Sequence, residues 1–485
     1  MKYVLYSCGE QPINKHFLQM ERHLYDKDVI GCVQRNVVFW CEKGYGQWFW
    51  SLQDIRLLNK DGEKLLDHQK ALSSIEETKK AVKTYWSEAE NLLESLNLGV
   101  AQKELAVDYE KYSAALRRVY AHFNTTVAHT THAVETRLKS ILFEKFPDNA
   151  EDYFVSLTTP EEPGLLLEEL REWAQVLKNP SGEAILAHAR KYPINLANVF
   201  SNSAAVRWGG ERIESNSLEQ VENRISEAEE GKREVKLAQK EILEKLGSEQ
   251  AEELSWFLRQ GAIGRLLVKN CWNGEAFHLL PFFKKISLLG GCSVRDAYAF
   301  HTWREVCGLL HNNRALSEEE LARRREYCLL YFSGERIALY SGEKALLKKK
   351  RALDSSLPPQ DTKVIYGAIA NKGIVSGKAI IIRADNPDEI SKTAKSLKGD
   401  YILVAGMTNP TMVPLFSKVK GIVTDEGGST CHAAVLSREF KLPCLVGCKV
   451  ATLVLKEGEE IILDANAGFV RRSLHAESQQ AQKKK

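Results

Sequence analysis

No stretch of about 18 apolar residues occurs in this chain, so nothing in it is long and apolar enough to cross a bilayer as a helix. The opening MKYVLYSCGEQPINKHF also lacks a charged segment followed by an apolar run, and the expected compartment is the cytoplasm. Charge of one sign is missing too. Lys and Arg number 67 against 64 Asp and Glu, interspersed, for a formal charge of +3, so nucleic acid is not the expected partner. A disulfide framework is absent, because the ten cysteines stand mostly alone in apolar surroundings, as Cys32, Cys271, Cys307 and Cys328 do. Cys444 and Cys448 lie close in sequence, but no second pair at ligand spacing joins them, and no zinc site is expected. His129 and His132 share a helical face without a third ligand, which points to packing or capping rather than metal.

What is present is a chain of 485 residues, 44% hydrophobic and 27% charged. That is too long for one hydrophobic core and apolar enough to fold into two or three. The first sixty residues hold the runs YVLYS, CVQRNVVFWC and GQWFWS, the last two separated by the turn EKGY. They read as a small β-containing module over 1–60. Its aromatic residues Phe39, Trp40, Tyr45, Trp48, Phe49 and Trp50 suit the core of that module.

From residue 61 the apolar period becomes helical. Leu65, Leu72, Ile75, Val82, Trp86, Ala89, Leu93 and Leu96 form one stripe, and Leu105, Tyr109, Tyr112, Leu116, Val119, Phe123 and Val127 form a second after Gly99. The two predict an antiparallel helical hairpin. Further helices are expected at 163–177, 217–246, 249–261, 293–311 and 317–332, which makes 61–352 a helical domain. Pro358 and Pro359 interrupt this pattern, so 353–362 reads as a linker. After it, AIIIR, YILVAG, GIVTD and EIILDA alternate with glycine turns and short helical stretches, predicting a compact α/β domain over 363–475. Residues 476–485 form a polar, frayed tail.

One motif in that domain carries chemistry. Thr424-Asp-Glu-Gly-Gly-Ser-Thr-Cys-His432 follows a strand-like GIVT and opens a helix. Gly427 and Gly428 permit a sharp turn, and Ser429 or Thr430 can cap the helix and offer a hydroxyl to an anion. The helix N-terminus supplies free N–H groups and partial positive charge beside His432, whose neutral imidazole is a nucleophile near pH 7. Together they form a site for a phosphoryl group carried on a histidine.

These residues resemble the TDxGGxTCHAAIxARE signature of the phosphoenolpyruvate-utilising enzymes, a family that includes phosphoenolpyruvate synthase, pyruvate phosphate dikinase and rifampin phosphotransferase. The similarity continues on both sides. Gly373 to Gly377 resembles the family's opening turn, and Ile402 to Ala405 with Thr408-Asn-Pro410 its ILV strand and proline loop. Pro443 to Gly447, Glu457-Gly458 and Asp464 to Val470 follow the later elements in order. The usual proline after Ser376 is missing. The resemblance implies a swivelling β/β/α domain in which His432 is phosphorylated. Gly427, Gly428, Ser429, Thr430, Cys431 and Arg438 then hold the phosphate.

The family's other parts are not evident. No segment before residue 353 shows the alternating strands and glycine-rich loop of an ATP-grasp domain, and the residues after Val470 are too few for a phosphoenolpyruvate barrel. The layout is most similar to the helical and histidine domains of rifampin phosphotransferase and its phosphoenolpyruvate-synthase-like relatives. That implies a phosphotransferase component, with ATP delivered through a separate ATP-grasp partner, or phosphoenolpyruvate, as donor. Mg²⁺ is implied at the donor step, with a small-molecule acceptor on the helical domain. His301, Arg304 and Arg324 are candidate acceptor contacts, although three consecutive arginines (Arg323 to Arg325) also suit a solvated face. A phosphocarrier or regulatory module without its own acceptor site, and a non-catalytic scaffold, are the alternatives.

Overall fold

A computed structural model describes residues 2–10, 12–196, 199–353, 356, 362–382, 387–408, 412–427 and 431–473. It is multidomain, with a long helical N-terminal region followed by an α/β C-terminal region. The EKGY turn joins β2 (Asn36–Glu42) to β3 (Tyr45–Ser51) in an antiparallel hairpin. Lys43 and Gly44 both take positive φ there, as a two-residue hairpin turn of matching twist requires.

The hairpin does not close on itself. β1 (Tyr3–Glu10) flanks β3, while β4 (Tyr327–Ser333) flanks β2 and is followed by β5 (Arg336–Ser341), so the sheet order is β1-β3-β2-β4-β5. The first sixty residues and the stretch ahead of the linker therefore build one sheet. This corrects the helix expected over 317–332. Only Glu318–Glu326 is helical, and Tyr327 to Phe332 instead alternates its side chains between the two faces of a buried strand. The aromatic run divides by the same parity. Phe39, Trp48 and Trp50 pack with Ile13 and Met20 of the helix Ile13–Tyr25, whereas Trp40 and Phe49 pack against Ala345 and Leu353 of the helix Gly342–Leu353.

The expected helical hairpin forms from His68–Leu98 and Gln102–Thr125, with Gly99 in the left-handed region at the turn. Its stripe (Tyr85, Ala89, Leu92, Tyr109, Tyr112, Leu116, Val119) packs on Val268, Cys271 and Trp272 of the helix Glu249–Trp272, which runs longer than expected.

In the C-terminal region, β6 (Val364–Tyr366), β7 (Ala368–Asn371), β8 (Ile374–Ile382), β9 (Tyr401–Ala405), β10 (Gly421–Thr424), β11 (Cys444–Val446), β12 (Glu460–Asp464) and β13 (Phe469–Arg472) form one sheet. Its order is β6-β13-β12-β8-β9-β10-β11-β7, with β8 to β11 parallel at the centre. The alternation in each strand divides the core. Ile380, Leu403 and Ile422 meet Ile390, Leu415, Ala433 and Ala434 of helices on one face, while Ala379, Ile402 and Val423 meet Val454, Ile461 and Leu463 on the other. Pro358 and Pro359, Asn409 and Pro410, and the tail 476–485 lie outside the described residues.

Candidate active site

The loop from Asp425 to Cys431 leaves the C-terminal end of β10, at the edge where open parallel sheets place their ligands. Asp425 is buried and holds the short helix Ala451–Val454 by its first amides, accepting from Ala451 N at 2.5 Å and Thr452 N at 3.0 Å, and from the Thr452 hydroxyl. Burial outweighs these bonds and pushes the Asp425 carboxyl up to about 6. A second loop is laced alongside, with Cys448 N donating to Thr424 O at 2.9 Å and Lys449 N to Asp425 O at 3.0 Å.

Gly427 sits at φ +106°, and a Cβ there would lie 2.7 Å from Cys431 Sγ, so only glycine fits. Cys431 is the extended N-cap residue of the helix His432–Glu439, and its side chain makes no cap bond. The first-turn amides therefore face the loop without intrahelical acceptors. His432 is the first helical residue; its side chain, and Gly428, Ser429 and Thr430, lie outside the described set.

Arg438 occupies the last turn of that helix, roughly 9 Å along the axis from its N-terminus at 1.5 Å per residue. Its Nε donates to Ala370 O at 3.2 Å, so it ties the helix to β7. The helix thus separates the Arg438 backbone from the first-turn amides by its length.

The acceptor contacts expected on the helical side are also committed elsewhere. Arg324 is buried and donates to Glu320, to both carboxylate oxygens of Glu305 and to Phe300 O. His301 Nδ1 is 3.0 Å from Asp296 O in the same network, and Arg304 pairs with the buried Glu21 at 2.6 Å. These groups brace the helices Val294–Ala299, Trp303–Asn312 and Glu318–Glu326 against the N-terminal sheet and the helix Ile13–Tyr25. Cys444 and Cys448 fall in opposite cores of the sheet, and burial pushes the Cys444 thiol up to about 12.

Other groups of the N-terminal body have shifts to which charges of the active-site loops contribute, or lie beside groups that do. On the helix Glu249–Trp272, Lys269 lies within the field of Glu426; burial and the neighbouring Arg265 lower its pKa to about 8, and Glu426 opposes them. Arg265 donates to Thr126 O at 3.3 Å and lies over the Phe123 ring at 5.1 Å. The Tyr6 hydroxyl, stacked on Trp50 with ring centroids 3.6 Å apart, is pushed up to about 12 by burial, with Glu426 adding to the shift and Arg265 and Arg22 opposing it. His129, 5.9 Å from Trp50, is lowered by burial, Lys449 and His132. On the helix Ile13–Tyr25, Lys15 lies 5.4 Å over the Trp272 ring, and the buried Arg22 donates to Tyr120 O at 3.2 Å.

Sequence reasoning missed Arg265 and Lys269. Their one signal was two basic residues, four apart, in the otherwise apolar run GAIGRLLVKNCW.

Comparison with known proteins agrees with the position of the loop. Residues 397–468 match the family model described as PEP-utilising enzyme, mobile domain. The probable phosphoenolpyruvate synthase of Methanothermobacter thermautotrophicus is 37% identical over 185 residues, 34% of this chain and 25% of that protein. The phosphoenolpyruvate synthase of Pyrococcus furiosus is 40% identical over 129 residues, 26% of this chain and 15% of that protein. The rifampicin phosphotransferase of Bacillus cereus is 30% identical over 179 residues, 36% of this chain and 19% of that protein. The chain thus spans a quarter or less of the length of these relatives. Residues 397–468, with the Asp425–Cys431 loop near their centre, are thus similar to the mobile domain of the phosphoenolpyruvate-utilising enzymes.

Proposed function

We propose that this chain is a phosphotransferase component in which His432 takes a phosphoryl group from a donor and delivers it to an acceptor on the N-terminal body. The observation that carries this reading is the glycine turn at Gly427 leading into a helix whose first residue is His432 and whose N-cap residue, Cys431, makes no side-chain cap bond. Such an end favours a dianion, through its free N–H groups and the helix dipole. Gly428, Ser429, Thr430 and Cys431 complete the phosphate cradle in this proposal.

Transfer begins with the imidazole nitrogen attacking the donor phosphorus, and the P–O bond to the leaving group breaks. In the second half an acceptor oxygen attacks the same phosphorus, the P–N bond breaks, and its electron pair returns to the ring. Phosphoryl transfer is mainly positioning and charge neutralisation. Arg265 and Lys269 are the cations on the receiving side, and burial increases what each contributes because water screens them less. This cationic edge replaces His301, Arg304 and Arg324 as the proposed receiving site.

The donor is phosphoenolpyruvate, or ATP held by a separate ATP-grasp protein, and Mg²⁺ belongs to that donor step. Among the described residues there is no cluster of three or more His, Cys, Asp or Glu suited to a metal. Two of the relatives are named phosphoenolpyruvate synthases and one rifampicin phosphotransferase, which supports the reaction class and leaves the acceptor open.

The test is intact-mass measurement after incubation with phosphoenolpyruvate, or with ATP and a candidate ATP-grasp partner. The expected result is one acid-labile phosphoryl group on the wild type and none on His432→Ala. Labelling that persists in His432→Ala would sink the carrier role.

A further inference from the structure

Three arginines among the described residues are buried, and two of them face carboxylates: Arg259 pairs with Glu161 at 3.1 Å and Arg324 with Glu305 at 2.7 Å. Arg22 is the third, and among the described residues no ion pair neutralises it. Its Nη1 donates to Tyr120 O at 3.2 Å, and its buried Nε has no hydrogen-bond partner. Asp26, one helical turn on, is taken by Arg117 at 3.0 Å and Arg118 at 3.4 Å. A buried guanidinium with donors to spare is costly unless an anion meets it. Other cations gather beside Tyr120, near the C-terminal end of the helix Gln102–Thr125. The Trp272 ring lies 4.8 Å from the Tyr120 ring and 4.9 Å from the Phe123 ring, and the Lys15 ammonium sits 5.4 Å over it. Phe123 in turn supports Arg265 at 5.1 Å, and Arg265 Nη1 donates to Thr126 O at 3.3 Å. Lys269 follows one turn later on the helix Glu249–Trp272. The helix dipole supplies only about half a negative charge at this end, too little for Lys15, Arg22, Arg265 and Lys269 together.

We propose that this end of the helix Gln102–Thr125 is an anion site, where Arg22, Lys15 and Arg265 hold a carboxylate or phosphate group that belongs to the acceptor itself. The cations stand as pairs on two helices, Lys15 and Arg22 on Ile13–Tyr25 and Arg265 and Lys269 on Glu249–Trp272. One pair can therefore hold the acceptor while the other meets the phosphoryl group. The aromatic rings are the support for this arrangement: they hold cations by their faces and offer no acceptor that would compete with a ligand. The acceptor class is a small anion rather than a neutral apolar molecule. This inference rests on the phosphotransferase reading for its purpose, but anion binding needs neither a donor nor His432.

The experiment is calorimetric titration of the full chain at low salt, without donor. Pyrophosphate, inorganic phosphate and malonate are the probes, and glycerol is the neutral control. One site is expected for at least one of the anions and none for glycerol. Lys15→Gln and Arg265→Gln should each weaken that binding by roughly tenfold, the scale of one charged hydrogen bond, in protein that melts near the wild-type temperature. Arg22→Gln should weaken it further, and the surface variant Arg323→Gln should leave it unchanged. Preference for the phosphates marks a phosphorylated acceptor and preference for malonate a carboxylic acid, and either supports the site. Failure of all three anions to bind, or binding that Lys15→Gln and Arg265→Gln leave intact, overturns the proposal. Binding lost in Gly427→Ala but kept in Arg265→Gln also overturns it, because the anion would then sit in the carrier loop. If His432 fails to label while the anion site responds to these variants, the carrier reading falls and the site stands; labelling without such a site does the reverse.

Discussion

Asp425 and Thr452 are bound twice over, the carboxylate taking both the Thr452 amide at 3.0 Å and its hydroxyl. This joins the residue after β10 to the helix Ala451–Val454 and fixes where the carrier loop begins. Asp425→Ala leaves buried donors without acceptors, an expected cost of about 1–3 kcal/mol. Thermal unfolding should show the loss, and His432 labelling should slow along with it. An unchanged melting temperature would show that the carboxylate is dispensable.

Arg438 and Gly427 should separate in a labelling assay. Arg438→Ala removes a tie to Ala370 O at the far end of the helix, so labelling of His432 is expected to stay near wild type at modest cost in stability. Gly427→Ala forces a Cβ onto Cys431 Sγ at a left-handed φ, with a strain cost of about 1–3 kcal/mol at the loop itself. Its labelling should fall sharply in protein that remains folded by circular dichroism. Equal effects of the two substitutions would contradict this placement of the phosphate.

Arg323 and Arg324 are neighbours in sequence with opposite prospects. Arg324→Met removes a buried guanidinium that bonds to the half-buried Glu305 and Glu320 and to Phe300 O, a loss of about 1.5–3 kcal/mol for charged hydrogen bonds. Arg323 pairs on the surface with Glu319 and Glu320, where solvent screens the charges, and Arg323→Met should leave stability close to wild type. Chemical denaturation of the two variants decides the matter.

Glu275 gives a pH signature. It accepts from Tyr112 Oη at 2.7 Å, and burial among tyrosines pushes its carboxyl from 4.5 to about 7. The folded state thus holds the proton more tightly than the unfolded chain. Its contribution is complete below about 4.5 and is lost as pH rises through about 7. Glu275→Gln stays uncharged, so its stability relative to wild type should improve between about pH 5 and about pH 8. Urea unfolding across that range checks the sign; a difference that does not change with pH would show that Glu275 ionises normally.

Local signals in the sequence were enough for several of these elements. The EKGY turn, the two helical stripes around Gly99 and the GIVT strand leading to His432 each depend on residues close in the chain. The strand Tyr327–Ser333 was hidden because YCLLYF has no Gly or Pro ahead of it, and its strand character comes from β2 nearly three hundred residues earlier. The helix Ile13–Tyr25 was likewise masked by the β-rich runs around it. The receiving edge was not legible at all. The role proposed for Arg265 and Lys269 depends on charges of another domain, and no spacing within one helix reports that.

The pairing of Val37 with Phe332 has a cost during synthesis. As the chain emerges from the ribosome, β2 is made early and has only β3 beside it, with β1 on the far side of β3, until β4 appears. Until then one of its sides presents open amides and carbonyls, on a strand carrying Val37, Val38, Phe39 and Trp40. A chain truncated before residue 327 would keep that edge permanently and should aggregate, whereas one ending after β5 and the helix Gly342–Leu353 has its hydrogen-bonding partner in place.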